Sequence, residues 1–340
     1  MDTTQLGRTN LIVTRSSFGV LPLQRVDFET ARTILRRAVE AGINFFDTAS
    51  GYSDSEEKIG YSLSDLRDRI FIATKCSGAA NRRDVIEKIE QSLRRMKTDH
   101  VDILQLHNPS TLPDPDDPDS TYAGLLEARE RGLTRFIGIT NHSRETARTA
   151  VESGLYDTLQ FPLSAISAHE DFELADLCAE RSVGFIAMKA LCGGLLNNAR
   201  LAFAGLRDRR HVVPIWGIQK LEELEEFVAL EADPPALTDD LREELRAAQA
   251  ELSGDFCRAC GYCLPCPSDI PIPMAARIGL LVHRMPSERF REPEWQERLA
   301  TVENCIECGV CATRCPYGLD TPELLKRQRA KYLEWLDASA

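Results

Sequence analysis

Eight repeats of a short apolar segment followed by a longer amphipathic segment run from about residue 16 to about residue 227. Repeats of this kind are typical of strand-helix units in a parallel sheet. Eight of them predict a closed (β/α)8 TIM barrel, an α/β fold. An open doubly wound sheet is the alternative, but its first strand normally leads into a glycine-rich phosphate turn, and residues 18–22 read FGVLP. The predicted strands are 16–20, 44–47, 70–75, 101–107, 134–140, 158–162, 184–188 and 212–215.

Two further segments belong to the predicted barrel. Residues 3–14 precede its first strand and are expected to form a small hairpin that plugs the barrel's bottom. Residues 109–120, PSTLPDPDDPDS, are rich in Pro and Asp and are expected to form a loop after the fourth strand. The carboxyl ends of the strands form the active-site mouth of such barrels. The loop is therefore expected at that mouth, where a plain solvated surface loop is the alternative interpretation.

Eight of the eleven cysteines fall into two dense runs in the last third of the chain, CRACGYCLPCP at 257–267 and CIECGVCATRCP at 305–316. The second run has the spacing of bacterial ferredoxins, in which one loop supplies three thiolates to a cluster and the Cys-Pro of the other run supplies the fourth. The runs therefore predict two 4Fe-4S clusters. The expected ligands are Cys257, Cys260, Cys263 and Cys315 for one cluster, and Cys305, Cys308, Cys311 and Cys266 for the other.

The first cysteine run departs from the ferredoxin spacing, because two residues rather than three precede Cys266. Zinc is the alternative metal, but structural zinc sites ordinarily use two separated Cys-x-x-Cys pairs rather than triplets closed by Cys-Pro. The 37 residues between the runs carry helical patterns and no hairpin signal. We therefore expect a barrel domain over 1–253 and a mostly helical ferredoxin-like domain over 254–340, with helices at 274–285, 292–302 and 322–336.

Charge and hydropathy narrow the classes of partner. A net charge of -12 argues against a nucleic-acid or anionic membrane surface, which would need clustered Lys and Arg. No window approaches the roughly 20 apolar residues of a membrane span, and the amino terminus lacks the features of a secretory signal. These observations predict a cytoplasmic protein with no nucleic-acid or membrane partner. In that compartment disulfides rarely persist, so dense cysteines indicate metal chemistry. The oligomeric state is not indicated.

Four ionisable residues lie at or just after the ends of the second, third and fourth predicted strands. They are Asp47, Tyr52, Lys75 and His107. Together they resemble the catalytic tetrad of the aldo-keto reductases, and the resemblance extends over residues 3–230. The resemblance implies a barrel that reduces an aldehyde or ketone with NADPH. The chain is also similar to a subfamily in which this barrel is followed by a 4Fe-4S module.

The tetrad roles follow from carbonyl chemistry. Hydride attack on a carbonyl carbon places negative charge on the oxygen, which must receive a proton or a positioned donor. Tyr52 is expected to supply the proton, and Lys75 to bring the phenol's pKa down towards a usable range. Asp47 is expected to pair with Lys75, and His107 to orient and polarise the carbonyl.

The resemblance also implies a set of nicotinamide contacts after strands five to eight. Lys189, Gly217, Gln219 and Lys220 match the phosphate positions, and Met188 replaces the aromatic that often stacks on the ring. Gln219 stands where an Arg is common, so NADH or a non-nicotinamide donor is an alternative to NADPH, and FMN is another ligand for such phosphate loops. The residues expected at the carboxamide are Thr140, Asn141 and Gln160.

Nicotinamide transfers a hydride, whereas a 4Fe-4S cluster transfers single electrons, so the two carriers do not easily exchange electrons directly. Three functions are therefore open. The clusters could pass electrons between the barrel and a ferredoxin or another electron-transfer protein. The barrel could instead be idle in an electron-transfer or interaction protein. The third alternative is an ordinary NADPH reductase with structural clusters. The small carbonyl substrate is not identified by any motif.

Overall fold

The structure is a computed structural model that describes residues 1–252, 256–283 and 288–338. It divides into two compact units. The first comprises Met1–Ala190 and Ala199–Arg242, and the second comprises Leu191–Asn198 and Glu243–Ala340. The domain boundary predicted at 253/254 lies outside the described residues.

The first unit contains a closed barrel of eight parallel strands, which confirms the predicted fold class. Each strand pairs with its sequence neighbours, and the last strand of the barrel closes the ring against the first. Four of the eight strands have the predicted bounds, and the others differ by one or two residues at an end. The barrel strands are β3 (Ser17–Gly19), β4 (Phe45–Asp47), β5 (Phe71–Cys76), β6 (Val101–His107), β7 (Thr134–Thr140), β8 (Thr158–Pro162), β9 (Gly184–Met188) and β10 (Val212–Gly217).

A two-stranded antiparallel hairpin precedes the barrel, with β1 (Thr3–Gln5) paired to β2 (Ile12–Thr14). Leu6 and Leu11 of this hairpin are buried in one apolar cluster with Phe45 and Ile103 of the barrel strands. Because the hairpin adds side chains to the barrel's interior, it seals one end of the core, as the sequence predicted. Burying each such Leu contributes roughly 1.5 to 3 kcal/mol to folding.

Helices alternate with the barrel strands. The helices between the strands expose one face and bury the other, as in α1 (Phe28–Glu40), where Ile34 and Leu35 are buried, and local caps fix where helices begin. Asp27 accepts a hydrogen bond from the amide of Thr30 at 2.7 Å and so starts α1. The helices before the cysteines are α1 (Phe28–Glu40), α2 (Ser55–Leu63), α3 (Arg82–Met96), α4 (Thr121–Glu130), α5 (Arg144–Ser153), α6 (His169–Glu180), α7 (Ala199–Arg207), α8 (Leu221–Ala232) and α9 (Asp239–Leu252).

The second unit is helical, and its described residues contain no strand. Its helices after α9 are α10 (Ile272–Ala275), α11 (Ile278–Leu281), α12 (Pro293–Ala300), α13 (Val310–Thr313) and α14 (Thr321–Asp337). The single helix expected at 274–285 is two short helices within the described residues, because the backbone at Arg277 (φ -130°, ψ -1°) leaves the helical region. The last residues of that prediction lie outside the described part of the chain. No described helix is long and apolar enough to cross a membrane.

The segment Leu191–Asn198 groups with the second unit although it follows β9 in sequence. The buried Arg277 guanidinium explains part of this grouping. It donates to the Gly193 carbonyl at 2.8 Å and to the Pro273 carbonyl at 2.9 Å. No sequence pattern predicted this association, because it depends on a hydrogen bond between residues 84 positions apart.

Candidate active site and cluster-binding cysteines

The four tetrad residues lie together at the carboxyl ends of neighbouring barrel strands. Asp47 ends β4, Lys75 is the next-to-last residue of β5, His107 ends β6, and Tyr52 is in the loop after β4. The Lys75 ammonium is 2.7 Å from Asp47 Oδ1 and 5.0 Å from the centroid of the Tyr52 ring. The Tyr52 and His107 rings meet edge to face, with centroids 5.7 Å apart.

Asp47 and Lys75 form a buried ion pair. Burial raises the pKa of the Asp47 carboxyl and lowers that of the Lys75 amine, and the attraction between the two charges opposes both shifts. Lys75 Nζ also donates to the Thr48 carbonyl at 2.6 Å. The ammonium therefore has two fixed acceptors behind the Tyr52 ring.

Tyr52 departs from the sequence-based expectation. Burial, and then the charge of Asp47, raise the pKa of its phenol instead of lowering it. The phenol is therefore protonated at neutral pH and can donate a proton.

His107 is a neutral ring. Burial, together with the charge of Lys75, lowers the pKa of its imidazole to about 3. Its Nδ1 lies 2.6 Å from the Ser77 hydroxyl oxygen. Sequence analysis missed Ser77, because Ser77 and His107 are 30 residues apart and a serine after a strand carries no signal of its own.

A chain of buried amides extends from Asp47 across the barrel. Gln160 Nε2 donates to Asp47 Oδ1 at 3.2 Å, and Gln105 Nε2 donates to Gln160 Oε1 at 3.0 Å. Asp47 Oδ2 and Gln105 Oε1 have no hydrogen-bond partner among the described residues. Gln160, which the resemblance assigns to the nicotinamide carboxamide, thus also supports the tetrad. Gln105 was not singled out from the sequence.

Thr140 and Asn141 lie at the end of β7 and are buried. Thr140 Oγ1 accepts the Asn108 amide at 3.0 Å. Asn141 Nδ2 donates to the Pro109 carbonyl at 3.0 Å, and its Oδ1 accepts the Ser143 amide at 2.7 Å. Each side chain keeps spare capacity, a hydroxyl proton on Thr140 and a second amide hydrogen on Asn141. Both can therefore still bind a polar ligand.

Met188 and Lys189 lie at the end of β9. Met188 is buried in the apolar cluster that fills the barrel. Lys189 has a left-handed backbone (φ 58°), which few non-glycine residues adopt. This places a sharp turn directly after the strand.

The end of β10 and the start of α8 bring Gly217, Gln219 and Lys220 together. Glu223 Oε2 accepts the amides of Gln219 and Lys220 at 2.8 and 3.1 Å. Gln219 Oε1 accepts from Arg25 Nη1 at 3.2 Å. Neither Glu223 nor Arg25 was identified from the sequence. Their side chains add a carboxylate and a guanidinium to the residues at the start of α8.

The eight cysteines of the two runs line two cavities of nearly equal size. The cavities measure about 360 and 380 Å³ including space open to solvent. Cys257, Cys260, Cys263 and Cys315 line the smaller, and Cys263, Cys266, Cys305, Cys308 and Cys311 line the larger. Within the described ranges, no three His, Cys, Asp or Glu side chains are close enough to share a single metal ion.

The two cysteine loops share one backbone pattern. Gly261 and Gly309, which follow the second cysteine of each run, both have positive φ (83° and 70°). The residues before that cysteine, Ala259 and Glu307, have φ near 53° in each loop. In each loop the residues on either side of the second cysteine thus have left-handed backbone conformations, and the three thiols of the loop line one cavity. Of these two residues, the glycine adopts this conformation without strain. Burial and the neighbouring thiols raise the pKa of Cys263 to about 12.

The other cysteines do not resemble reactive thiols. Burial raises the pKa of Cys76 and of Cys178 to about 12. Cys76 Sγ contacts the Val85 carbonyl at 3.8 Å. Cys192 is buried in the segment of the second unit that follows β9.

Two family descriptions match the chain. Residues 15–237 match the aldo/keto reductase family, and residues 256–320 match the 4Fe-4S dicluster domain. The chain therefore belongs to the aldo/keto reductase family. It is an oxidoreductase of that family that carries a 4Fe-4S dicluster domain after its barrel.

Characterised relatives cover only part of the chain. An aldo-keto reductase, YhdN of Bacillus subtilis (strain 168), is 29% identical over 184 residues, which are 50% of this chain and 54% of that protein. An NADH-specific methylglyoxal reductase of Escherichia coli (strain K12) is 26% identical over 220 residues, 56% of this chain and 68% of that protein. The chain thus spans about half to two thirds of these relatives' length.

Solved structures share the barrel. An aldo-keto reductase from Klebsiella pneumoniae in complex with NADPH superposes with a TM-score of 0.64 at 21% identity. The match covers 73% of this chain and 95% of that one. At this level of identity the likeness establishes the fold alone.

Proposed function

We propose that the barrel reduces a small aldehyde or ketone with a nicotinamide dinucleotide, through Asp47, Tyr52, Lys75 and His107. The observation that carries the proposal is the position of Lys75, which pairs with Asp47 at 2.7 Å and lies behind the Tyr52 ring at 5.0 Å. An idle barrel would have no need of a buried ion pair at its mouth, because such pairs add little to stability.

Tyr52 is the proton donor in this proposal. The carbonyl carbon gains a hydride and its oxygen gains the phenol's proton, so the substrate becomes an alcohol. The raised pKa of Tyr52 keeps that proton available. As the phenolate develops, the Lys75 charge behind the ring stabilises it. His107, which stands edge to face with Tyr52, can donate a hydrogen bond to the same oxygen.

The residues after strands five to eight fit a nicotinamide dinucleotide. When bound, the nicotinamide supplies the hydride. Thr140, Asn141 and Gln160 are expected to hold its carboxamide through their unused donors and acceptors. Met188 and Lys189, followed by Gly217, Gln219 and Lys220, are expected to contact the ring and the phosphates. The NADH specificity named for the E. coli relative makes NADH the alternative to NADPH.

The test is Tyr52→Phe, assayed with methylglyoxal, the substrate named for the E. coli relative, and with either reduced nicotinamide. Removing a general acid is expected to lower kcat by about 10² to 10⁴, while nicotinamide binding measured by fluorescence is retained. Tyr61→Phe is the matched control, because its hydroxyl contacts Glu29 on the surface. Wild-type activity in Tyr52→Phe would contradict the proposal.

We further propose that residues 254–340 form a domain with two 4Fe-4S clusters, after a barrel domain over 1–253. Two cavities support this ligand assignment, because each is lined by three cysteines of one run and the Cys-Pro cysteine of the other, and Cys263 also borders the second cavity. Structural zinc sites ordinarily use two separated Cys-x-x-Cys pairs, whereas each run here has three cysteines at Cys-x-x-Cys spacing closed by Cys-Pro. The specific prediction is that Cys315 completes the cluster of the first run and Cys266 completes the cluster of the second run.

Iron and sulfide analysis after anaerobic purification, with EPR of the reduced protein, tests the clusters. Cys315→Ser is expected to lose the cluster of Cys257, Cys260 and Cys263, and Cys266→Ser the cluster of the second run. Cys178→Ala, far from both runs in sequence, is the control that should keep both clusters. Zinc in place of iron would contradict the assignment.

Exchange of electrons with a ferredoxin or a similar protein is the second candidate role. Cys308 is exposed, so a cluster bound there lies at the surface of its unit. Dithionite-reduced protein mixed with methylglyoxal in the absence of nicotinamide tests whether cluster electrons reach a substrate. Alcohol formation would support this role, and its absence would favour clusters that brace the fold.

A further inference from the structure

Ser77 connects the loop of Tyr52 to the ring of His107. Its hydroxyl oxygen accepts the Gly51 amide at 3.2 Å and lies 2.6 Å from His107 Nδ1. Its own amide donates to Ser50 Oγ at 3.0 Å. Ser77, which follows β5, therefore contacts both the loop that carries Tyr52 and the ring of His107, although it is not one of the four tetrad residues.

Glycine at position 51 allows this approach. A Cβ atom added there would lie 2.8 Å from Ser77 Oγ and 2.9 Å from Ser77 Cβ, and such contacts do not occur between real side chains. The loop that carries Tyr52 is thus packed directly on Ser77. A second bond, from Arg95 Nη1 to the Ser50 carbonyl at 3.2 Å, holds the same loop.

The hydrogen positions follow from donor and acceptor counts. A serine hydroxyl has one hydrogen and two lone pairs, and the Gly51 amide occupies one lone pair. Among the described residues, His107 Nδ1 is the acceptor within reach of the hydroxyl hydrogen. Donation to Nδ1 requires that nitrogen to be bare, and a neutral imidazole then carries its hydrogen on Nε2. Burial keeps the ring neutral, with a pKa of about 3.

We propose that Ser77 is a positioning residue that fixes the Nε2–H tautomer of His107. The Nε2–H group then donates a hydrogen bond to the substrate's carbonyl oxygen. In the opposite tautomer a lone pair on Nε2 would face that oxygen and repel it. The kinetic consequence rests on the proposed carbonyl reduction. The tautomer itself does not, because it is inferred from the contacts of the Ser77 hydroxyl with the Gly51 amide and with His107 Nδ1 and from the neutral state of the buried ring.

Histidine ¹⁵N NMR of the full protein with oxidised clusters tests the tautomer directly. The signal is assigned by its loss in His107→Gln, among six histidines. Wild type and Ser77→Thr are expected to show hydrogen on Nε2 and a bare Nδ1, whereas Ser77→Ala is expected to show exchange between the two tautomers. Ser50→Ala removes a neighbouring hydroxyl but no bond to the ring, so it should keep the wild-type pattern. Hydrogen on Nδ1 in wild type, or an unchanged pattern in Ser77→Ala, would overturn the proposal.

Kinetics separate this role from a merely structural one. With methylglyoxal, Ser77→Ala is expected to lower kcat/KM about tenfold, mainly through KM for the carbonyl, with nicotinamide binding unchanged. Ser77→Thr, which keeps the hydroxyl, is expected to recover most of that loss. If neither the wild type nor any variant reduces a carbonyl, the proposed function of the barrel is wrong. The NMR result still decides whether Ser77 fixes the tautomer of His107.

Discussion

The Lys75 ammonium lies 2.7 Å from Asp47 Oδ1, and both side chains are buried at the mouth of the barrel. Breaking a buried ion pair leaves one uncompensated charge, which typically costs about 3 to 5 kcal/mol, whereas replacing both partners by neutral groups can be nearly neutral. Substitutions of the Asp47–Lys75 pair are therefore expected to change the free energy of unfolding and the catalytic activity in different ways.

We expect Asp47→Asn to lower the free energy of unfolding by about 3 to 5 kcal/mol, and Asp47→Asn with Lys75→Met to recover much of that loss. Neither variant should keep wild-type carbonyl reduction, because Asp47→Asn removes the carboxylate that pairs with Lys75 and the double variant removes the ammonium as well. Urea unfolding of the barrel, followed alongside steady-state rates, measures the two effects. A double variant as active as wild type would argue against the role of Lys75.

Glu223 is expected to set the choice between nicotinamides. Its carboxylate accepts the amides of Gln219 and Lys220, where the resemblance places the ribose phosphate, and its charge would repel the 2'-phosphate of NADPH. Glu223→Gln keeps an acceptor and removes the charge, so the ratio of kcat/KM for NADPH to that for NADH should rise about five- to tenfold. Glu222→Gln, its exposed neighbour, should leave the ratio unchanged. An equal effect of both variants would point to overall charge instead.

Arg258 is expected to tune one cluster. Its guanidinium stacks on the Phe256 ring at 4.6 Å and on the Tyr317 ring at 4.3 Å, and it lines the cavity of Cys257 and Cys260. A fixed positive charge favours the reduced, more negative cluster. Arg258→Gln should therefore lower the midpoint potential of that cluster in an EPR-monitored redox titration. Arg327→Gln, an exposed cation on α14, should leave it unchanged. A potential unaffected by either variant would show that the charge is screened.

His107 predicts a specific dependence of stability on pH. Its folded-state pKa of about 3 lies below the ordinary 6.5, so between these values the unfolded chain binds the proton and the folded chain does not. The stabilisation is complete above pH 6.5 and is lost as the pH falls towards 3. The Tm difference between wild type and His107→Gln should narrow from pH 7 to about pH 4.5. A difference that stays constant would contradict the lowered pKa.

The barrel could be predicted closely because its parallel strands are buried on both faces and read as nearly continuous apolar runs. The tetrad residues were found for a related reason. Asp47, Lys75 and His107 come at or next to strand ends, and the ends of parallel strands meet at one edge. Their proximity follows from topology, without knowledge of any side-chain contact.

The unpredicted features depend on contacts between distant residues. Ser77 gains its meaning only from His107 and Gly51, and Glu223 only from the amides it accepts. The raised pKa of Tyr52 reflects its burial and the nearby charge of Asp47, which sequence cannot show. The segment Leu191–Asn198 groups with the second unit through the bond from Arg277 to Gly193. In each case the residue type is common and only the three-dimensional neighbourhood is informative.

The origin of the hydrogen on the product carbon tests the central claim most directly. Methylglyoxal is reduced in ordinary water with NADPH or NADH deuterated at C4, and the alcohol is analysed by mass spectrometry. If the barrel transfers a hydride to a carbonyl protonated by Tyr52, deuterium from the nicotinamide is retained on the product carbon, and Tyr52→Phe forms little product. Product whose new carbon-bound hydrogen comes only from water would contradict the account, because it would mean that single electrons and protons carry out the reduction.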